Sequence, residues 1–271
     1  MIIRKLLMYV LLVAVACLFI GPFLWLLATS LMSAGQDVFT FPPQFIPKPV
    51  SFENYVTAWT SIPFGKYLKN SFLLLVIMVP IHLMLTALAA YPLARIEFPG
   101  RKFIFYAILG TMFLPEEGKL VPLFIIIHKL GFVDSWMGIV MPGLVGGFSI
   151  FLMRQSYMAL PKEMEEAAVI DGCGMLRTWW HIMLPLVRPT FAALSVFSFI
   201  SVWNSFMWPL IVLKSDDLFP LALGLAYLLG TFGGEVKTMA AGTVISLLPV
   251  IIFYLMMQKH FVSGLQGAVK G

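Results

Sequence analysis

The chain has 271 residues, 60% apolar and 11% charged, with a net charge of +5, whereas an average soluble domain has about 45 to 50% apolar and about 25% charged residues. Such a composition lacks the polar side chains to cover a soluble globule. The mean hydropathy of +0.94 excludes disordered, collagen-like and coiled-coil chains, two Cys cannot build a disulfide framework, and the basic residues form no stripe for nucleic acid. An all-α integral membrane protein remains, with length for roughly six helices at about 20 residues each and no sizeable soluble domain.

Charge-free stretches mark the crossings, because an ionised group at the bilayer centre costs about 2.5 to 3.5 kcal/mol. In chain order they are 6–36, 70–94, 135–153, 189–213 and 238–258. A further apolar segment, 103–127, carries Glu116, Glu117 and Lys119 beyond its middle and is expected to be a span broken near Pro115, its charges paired or facing a water-filled cavity or the outer interface. The first stretch follows Arg4 and Lys5 and runs past Cys17, too long for a signal-peptide core, so an uncleaved first helix is expected. Lys and Arg are concentrated at the N-terminus, at 95–102, at 154–188 and in the tail, which by the positive-inside rule places both termini in the cytoplasm and calls for six transmembrane helices. The short, Gly-rich apolar stretch 218–234 is then an external loop with an interfacial or re-entrant helix.

The cytoplasmic segment 155–183 is organised as a helix. Pro161 suits a first turn, Glu163, Glu165 and Glu166 complement the positive end of the dipole, Met164, Ala167, Ala168 and Asp171 fall at helical spacing, and Gly172 and Gly174 stop it. Small residues let a partner backbone approach closely. Three acids in one turn disfavour anionic headgroups, so a protein partner is the better reading than an interfacial helix.

Glu166, Ala167, Ala168, Gly172, Ile182, Leu184 and Pro185 stand at the fixed positions of a sequence that resembles the EAA motif of membrane subunits of bacterial ATP-binding-cassette importers. Seven such positions coincide by chance on the order of 10⁻⁸ per start site. Asn54 and Tyr55, Pro122 to Phe124, Trp203 to Phe206 with Pro209 and Leu210, and the ending Gly264 to Gly271 resemble the carbohydrate-uptake branch similar to the second membrane subunit of the maltose importer. The charged Glu116–Lys119 cluster departs from it.

The resemblance implies a type I ABC-importer permease fold: one permease domain over 1–271, core 70–258, with a coupling loop at 155–183 and a tail at 259–271. It implies a bacterial plasma-membrane, multi-pass, non-enzymatic subunit importing a sugar or polyol. Its partners would be a second homologous permease, two ABC ATPases, an extracytoplasmic solute-binding protein and the bilayer. No cofactor or metal is expected on this chain, ATP and Mg residing on the ATPases. Glu166, Ala167, Ala168, Asp171 and Gly172 would couple to an ATPase, with Glu166 as a plain helix cap the alternative. Gly264, Gln266 and Gly267 would reach between the ATPases, or fray. The loop 214–236 lies where relatives probe the binding protein's cleft.

Trp203, Asn204, Ser205 and Trp208 cluster as candidates for the substrate path, since an amide beside indoles suits a sugar; helix–helix adhesion by Asn and Ser is the competing reading. His82 reads as a packing group and Arg188 as a snorkelling charge. The fifth span carries no mid-depth cation for a phosphate, which favours a neutral sugar. A membrane transferase acting on a lipid-linked substrate, using Glu116, Glu117, Asp134 or His128, is the alternative class.

Overall fold

The computed structural model describes residues 2–42, 44–231 and 235–268, and no strand occurs among them. Three helices are long and apolar enough to cross a membrane: α1 (Ile2–Ser30), the 32-residue α3 (Phe64–Arg95) and the membrane-length part, Val236–Gln258, of α14 (Val236–Ala268). Two bent helix pairs bring the number to five if each is one span. The first joins α6 (Trp136–Gly143) to α7 (Gly147–Met158) at 42°. The second joins the segment Met175–Leu186 to α11 (Arg188–Trp203) at 74°. Within Met175–Leu186, α9 (Met175–Thr178) and α10 (Leu184–Leu186) flank a π-helical turn over Trp179–Met183.

The segment 103–127 divides as expected near Pro115, into α4 (Arg101–Gly110), a 3₁₀ turn at Thr111–Phe113 and α5 (Glu116–Lys129). Two expected straight spans are interrupted. The stretch 135–153 bends between Gly143 and Gly147, and 189–213 is cut at Asn204 to Phe206, after which α12 (Met207–Val212) begins. Hydropathy reports the absence of charge and carries no information about such breaks.

The chain forms two compact units, Met1–Leu68 with Leu221–Ile251, and Lys69–Pro220 with Ile252–Gly271. In the first, Asn54 of α2 (Glu53–Ser61) donates to the carbonyls of Ser30 (2.9 Å) and Met32 (2.6 Å), satisfying acceptors at the end of α1. None of the membrane-length window of α1 is buried within the chain, so its apolar surface faces lipid or another subunit. The 11-residue α13 (Leu221–Thr231) is the helix expected in 218–234; it is too short to cross, and Leu221, Leu223 and Leu228 are buried. Gly224 lies where a Cβ would stand 2.1 Å from the Tyr67 ring, so the helix packs closely there. Gly233 and Gly234 lie outside the described residues.

The second unit holds a core of Ala87, Ala90, Leu93, Phe105, Ile150, Met153, Met183 and Leu194, with Tyr91, Tyr157 and Trp179 buried among them. Against lipid, which is as apolar as these side chains, the core is held by close packing and interhelical hydrogen bonds rather than by transfer out of water. This core joins the C-terminal half of α3 to α4, α7, the π turn and α11, next to the acidic helix α8 (Glu163–Ile170).

Candidate functional site

The acidic helix is shorter than its expected bounds, with Pro161 and Lys162 just ahead of the first turn. Its end follows from hydrogen-bond geometry. Gly172 has φ +75°, a left-handed conformation that a side chain disfavours, and its amide donates to the Val169 carbonyl (3.0 Å) while that of Cys173 donates to Ala168 (2.9 Å). This paired closure satisfies the carbonyls that a helix terminus otherwise leaves open.

The two acids at the centre of α8 have different surroundings. Glu165 turns inward: Tyr91 donates its hydroxyl to Glu165 Oε1 (2.9 Å), and Arg95 Nε stands 3.4 Å from Glu165 Oε2. Arg95 is only 7% exposed along its side chain, and its Nε makes an ion pair rather than a hydrogen bond, while its Nη2 donates to the Leu160 carbonyl. Tyr157 packs edge-on against Tyr91 (5.5 Å) and accepts from Trp179 Nε1 (3.0 Å). Arg154 Nε donates to the Leu93 carbonyl (2.9 Å), with its guanidinium 3.9 Å over the Phe105 ring. The end of α3 is thereby tied to both sides of the acidic helix. This brace is absent from the sequence expectation; a Tyr and an Arg four residues apart, Tyr91 and Arg95, were the available signal.

Glu166 turns outward. It is exposed with Ala167, Asp171 and Gly172, while Ala168 is buried at 3% and seats the helix on the core. Around them Val169, Ile170, Met175 and Leu176 are 58–85% exposed. The outer face therefore sets two acids, Glu166 and Asp171, among apolar side chains.

Four residues were expected on the substrate path. Trp203 is buried, stacked on Phe199 (5.8 Å) and edge-on to Phe72 (5.3 Å), and Phe199 stacks on Phe253 (4.0 Å). Asn204 sits in the helix break and is exposed. Ser205 and Trp208 line a cavity of about 200 Å³, and the Trp208 indole also donates to the Gly138 carbonyl (2.9 Å), binding α12 to α6. Gly138 is required at that seam, since a Cβ would stand 2.2 Å from the Phe132 carbonyl oxygen.

A larger cavity of about 590 Å³ shares Met78, Pro142, Gly143, Ser201 and Val202 with the smaller one. Its polar lining includes Glu116, Lys119, His82, Thr111, Ser149, Ser198 and Ser201. Glu116 and Lys119 of the acid–base cluster thus face a cavity, while Glu117 is not part of its lining. His82 Nδ1 bonds the Leu144 carbonyl (3.1 Å) and Nε2 the Ser149 hydroxyl (2.8 Å). A carbonyl only accepts, so Nδ1 carries a proton, and His82 holds the bend between α6 and α7.

Asp134 is engaged elsewhere. At φ +57° it accepts at Oδ1 from the amides of Lys214 and Ser215 (2.9 Å each) and at Oδ2 from the Ser215 hydroxyl (2.6 Å), and these bonds hold its carboxyl below the usual carboxylate pKa, the Ser215 hydroxyl contributing most. Asn70 donates to the carbonyls of Asp217 (2.8 Å) and Phe219 (3.0 Å). The opening of the 214–236 segment is consequently held in place. The helix α14 runs on through the expected tail to Ala268, so Gly264, Gln266 and Gly267 are helical in backbone, and the Gln266 side chain lies outside the described residues.

Comparison with known proteins agrees in sequence and in fold. A permease of the arabinooligosaccharide transport system of Bacillus subtilis is 38% identical over 83% of this chain and 81% of that protein. A permease of the diacetylchitobiose uptake system of Streptomyces coelicolor is 32% identical over 93% and 84%. The crystal structure of a bacterial ABC transporter that imports the acidic polysaccharide alginate superposes with a TM-score of 0.83 at 27% identity, covering 96% of both chains. Residues 3–266 match the family described as binding-protein-dependent transport system inner membrane components, and the chain belongs to that family.

Proposed function

We propose that this permease subunit of a binding-protein-dependent importer admits a sugar or sugar-like polyol and receives force from a cytoplasmic ATPase through α8. The two faces of that helix carry the reading. Glu165 is fastened to α3 through Tyr91 and Arg95, while Glu166, Val169 and Ile170 are presented outward. A load on the outer face reaches the membrane helices through the brace, without relying on the flexible side chains of a surface loop. Glu166 meets a basic group in the ATPase groove, and Gly172 makes the turn that returns the chain toward α11. Gly264, Gln266 and Gly267 belong to the segment that approaches the paired ATPases.

The finer assembly follows from charge. Six crossings, counting α4 with α5 as one broken span, put the Lys- and Arg-rich connections and both termini in the cytoplasm of a bacterial plasma membrane. The chain performs no bond chemistry; ATP and Mg act on the ATPases. Its partners are a second permease, two ATPases and an extracytoplasmic binding protein, and Ser205 and Trp208 lie along the substrate path.

The test is ATP turnover by the reconstituted complex on addition of substrate-loaded binding protein. Glu166→Lys or Gly172→Pro abolishes the stimulation while the complex still assembles. Full stimulation in both variants sinks the coupling assignment.

A further inference from the structure

Two interrupted spans meet at the larger cavity. The break between α4 and α5 supplies Thr111, Met112 and Leu114, with Glu116 and Lys119 on the first turn of α5, and the break between α6 and α7 supplies Gly146, with Gly147 and Ser149 on the first turn of α7. Met78 and His82, on its wall, lie at the middle of the 32-residue α3. Non-helical backbone and charge at the centre of a membrane-length helix are tolerated only against protein or water. This lining therefore faces water or another protein surface rather than lipid, and its volume of about 590 Å³ falls in the ~300–1,000 Å³ range of small-molecule sites.

The lining also states what fits. Among the described residues neither Glu116 nor Lys119 has an ion-pair partner within 4.0 Å. One is a pure acceptor, the other a pure donor, and together they leave the cavity without net charge. An anion gains at Lys119 what it loses at Glu116, and a cation the reverse. A hydroxyl both donates and accepts, so a polyhydroxylated ligand gains at both. The Ser149, Ser198 and Ser201 hydroxyls extend that mixed surface, with Ser149 oriented by its bond to His82.

Resting on the importer reading above, we infer that this subunit itself holds a transient subsite for a neutral sugar in this cavity, with Glu116 accepting from and Lys119 donating to ligand hydroxyls. The subsite discriminates against singly charged analogues.

The complete complex in proteoliposomes provides the test. The probes are arabinotriose and cellobiose as neutral sugars, galacturonic acid as a singly charged anion and glucosamine as a singly charged cation; neither charged probe is taken up at more than about a tenth of the rate of the favoured neutral one, and equal uptake of either overturns the discrimination. At least one neutral probe is taken up, and Glu116→Ala and Lys119→Ala each slow its uptake about tenfold or more, as expected for a lost bond to a charged group. Glu116→Gln, which keeps an acceptor oxygen, retains most of it. A Ser201→Cys reporter, in a chain with Cys17→Ser and Cys173→Ser, is shielded by the same neutral probe from a thiol reagent. Refusal of every neutral probe, undiminished uptake in both alanine variants, or an unshielded reporter overturns the subsite. Those results leave the importer reading standing, whereas loss of ATPase stimulation in the unaltered complex strikes at that reading instead.

Discussion

Glu165 and Glu166 are adjacent acids on one short helix, and their neighbours assign them different work. Removing the Glu165 carboxylate strands Arg95, whose side chain is 7% exposed, at a cost of about 1.5–3 kcal/mol. Glu165→Ala is expected to lower the unfolding temperature of the solubilised complex, and adding Arg95→Met is expected to restore part of it, because removing both partners costs less than orphaning one. Additive destabilisation in the double variant would rule out the brace. Asp134 offers a pH signature. Its folded carboxyl titrates below the usual value of 3.8, so its clamp is complete above that value and is lost as pH falls through the lower folded one. Limited proteolysis at 213–218 should stay constant from neutral pH down to the usual carboxylate range and rise only beneath it. In Asp134→Ala it should be high throughout.

The elements differ in how readily the sequence reveals them. The stretches 6–36, 70–94 and 238–258 became α1, α3 and part of α14 because a long charge-free run has few alternatives in a membrane. The acidic helix was visible from its caps, and Gly172 ended it as expected. The breaks in 135–153 and 189–213 were hidden, although Gly146, Gly147 and the Asn204–Ser205 pair occupy them. A Gly pair or an amide inside an apolar run is also compatible with an intact helix; the surrounding packing selects the break. The cluster Glu116–Lys119 was legible as charge needing a partner, a cavity or the interface, but its neighbours His82 and Ser149 come from distant parts of the chain and only the fold names them. The positive φ of Gly172 gives the helix end a measurable strength. Gly172→Ala should cost about 1–2 kcal/mol and speed amide exchange in α8 about 5- to 30-fold, with Gly172→Asn milder because Asn tolerates that conformation. Unchanged exchange in the alanine variant contradicts this account.

For the whole molecule, the sidedness of α8 is the decisive property, and the chain carries its own probe. Cys173 follows Gly172 and is half-buried, while Cys17 lies on α1 inside an apolar helix. A membrane-impermeant thiol reagent should label Cys173 in inside-out vesicles stripped of ATPase and leave it untouched in intact cells, with Cys17 silent in both. Labelling of Cys173 from outside would invert the topology.

The inward pinning of Glu165 sets a rule for chimaeras. On the proposed coupling, an acidic segment transplanted from another importer would have to satisfy two hosts at once, the nucleotide-hydrolysing motor proposed to dock on it and the Tyr91–Arg95 pair behind it. Swapping only the outward residues should retune which motor is accepted. Exchanging position 165 without its receptors should disconnect any motor from the gate.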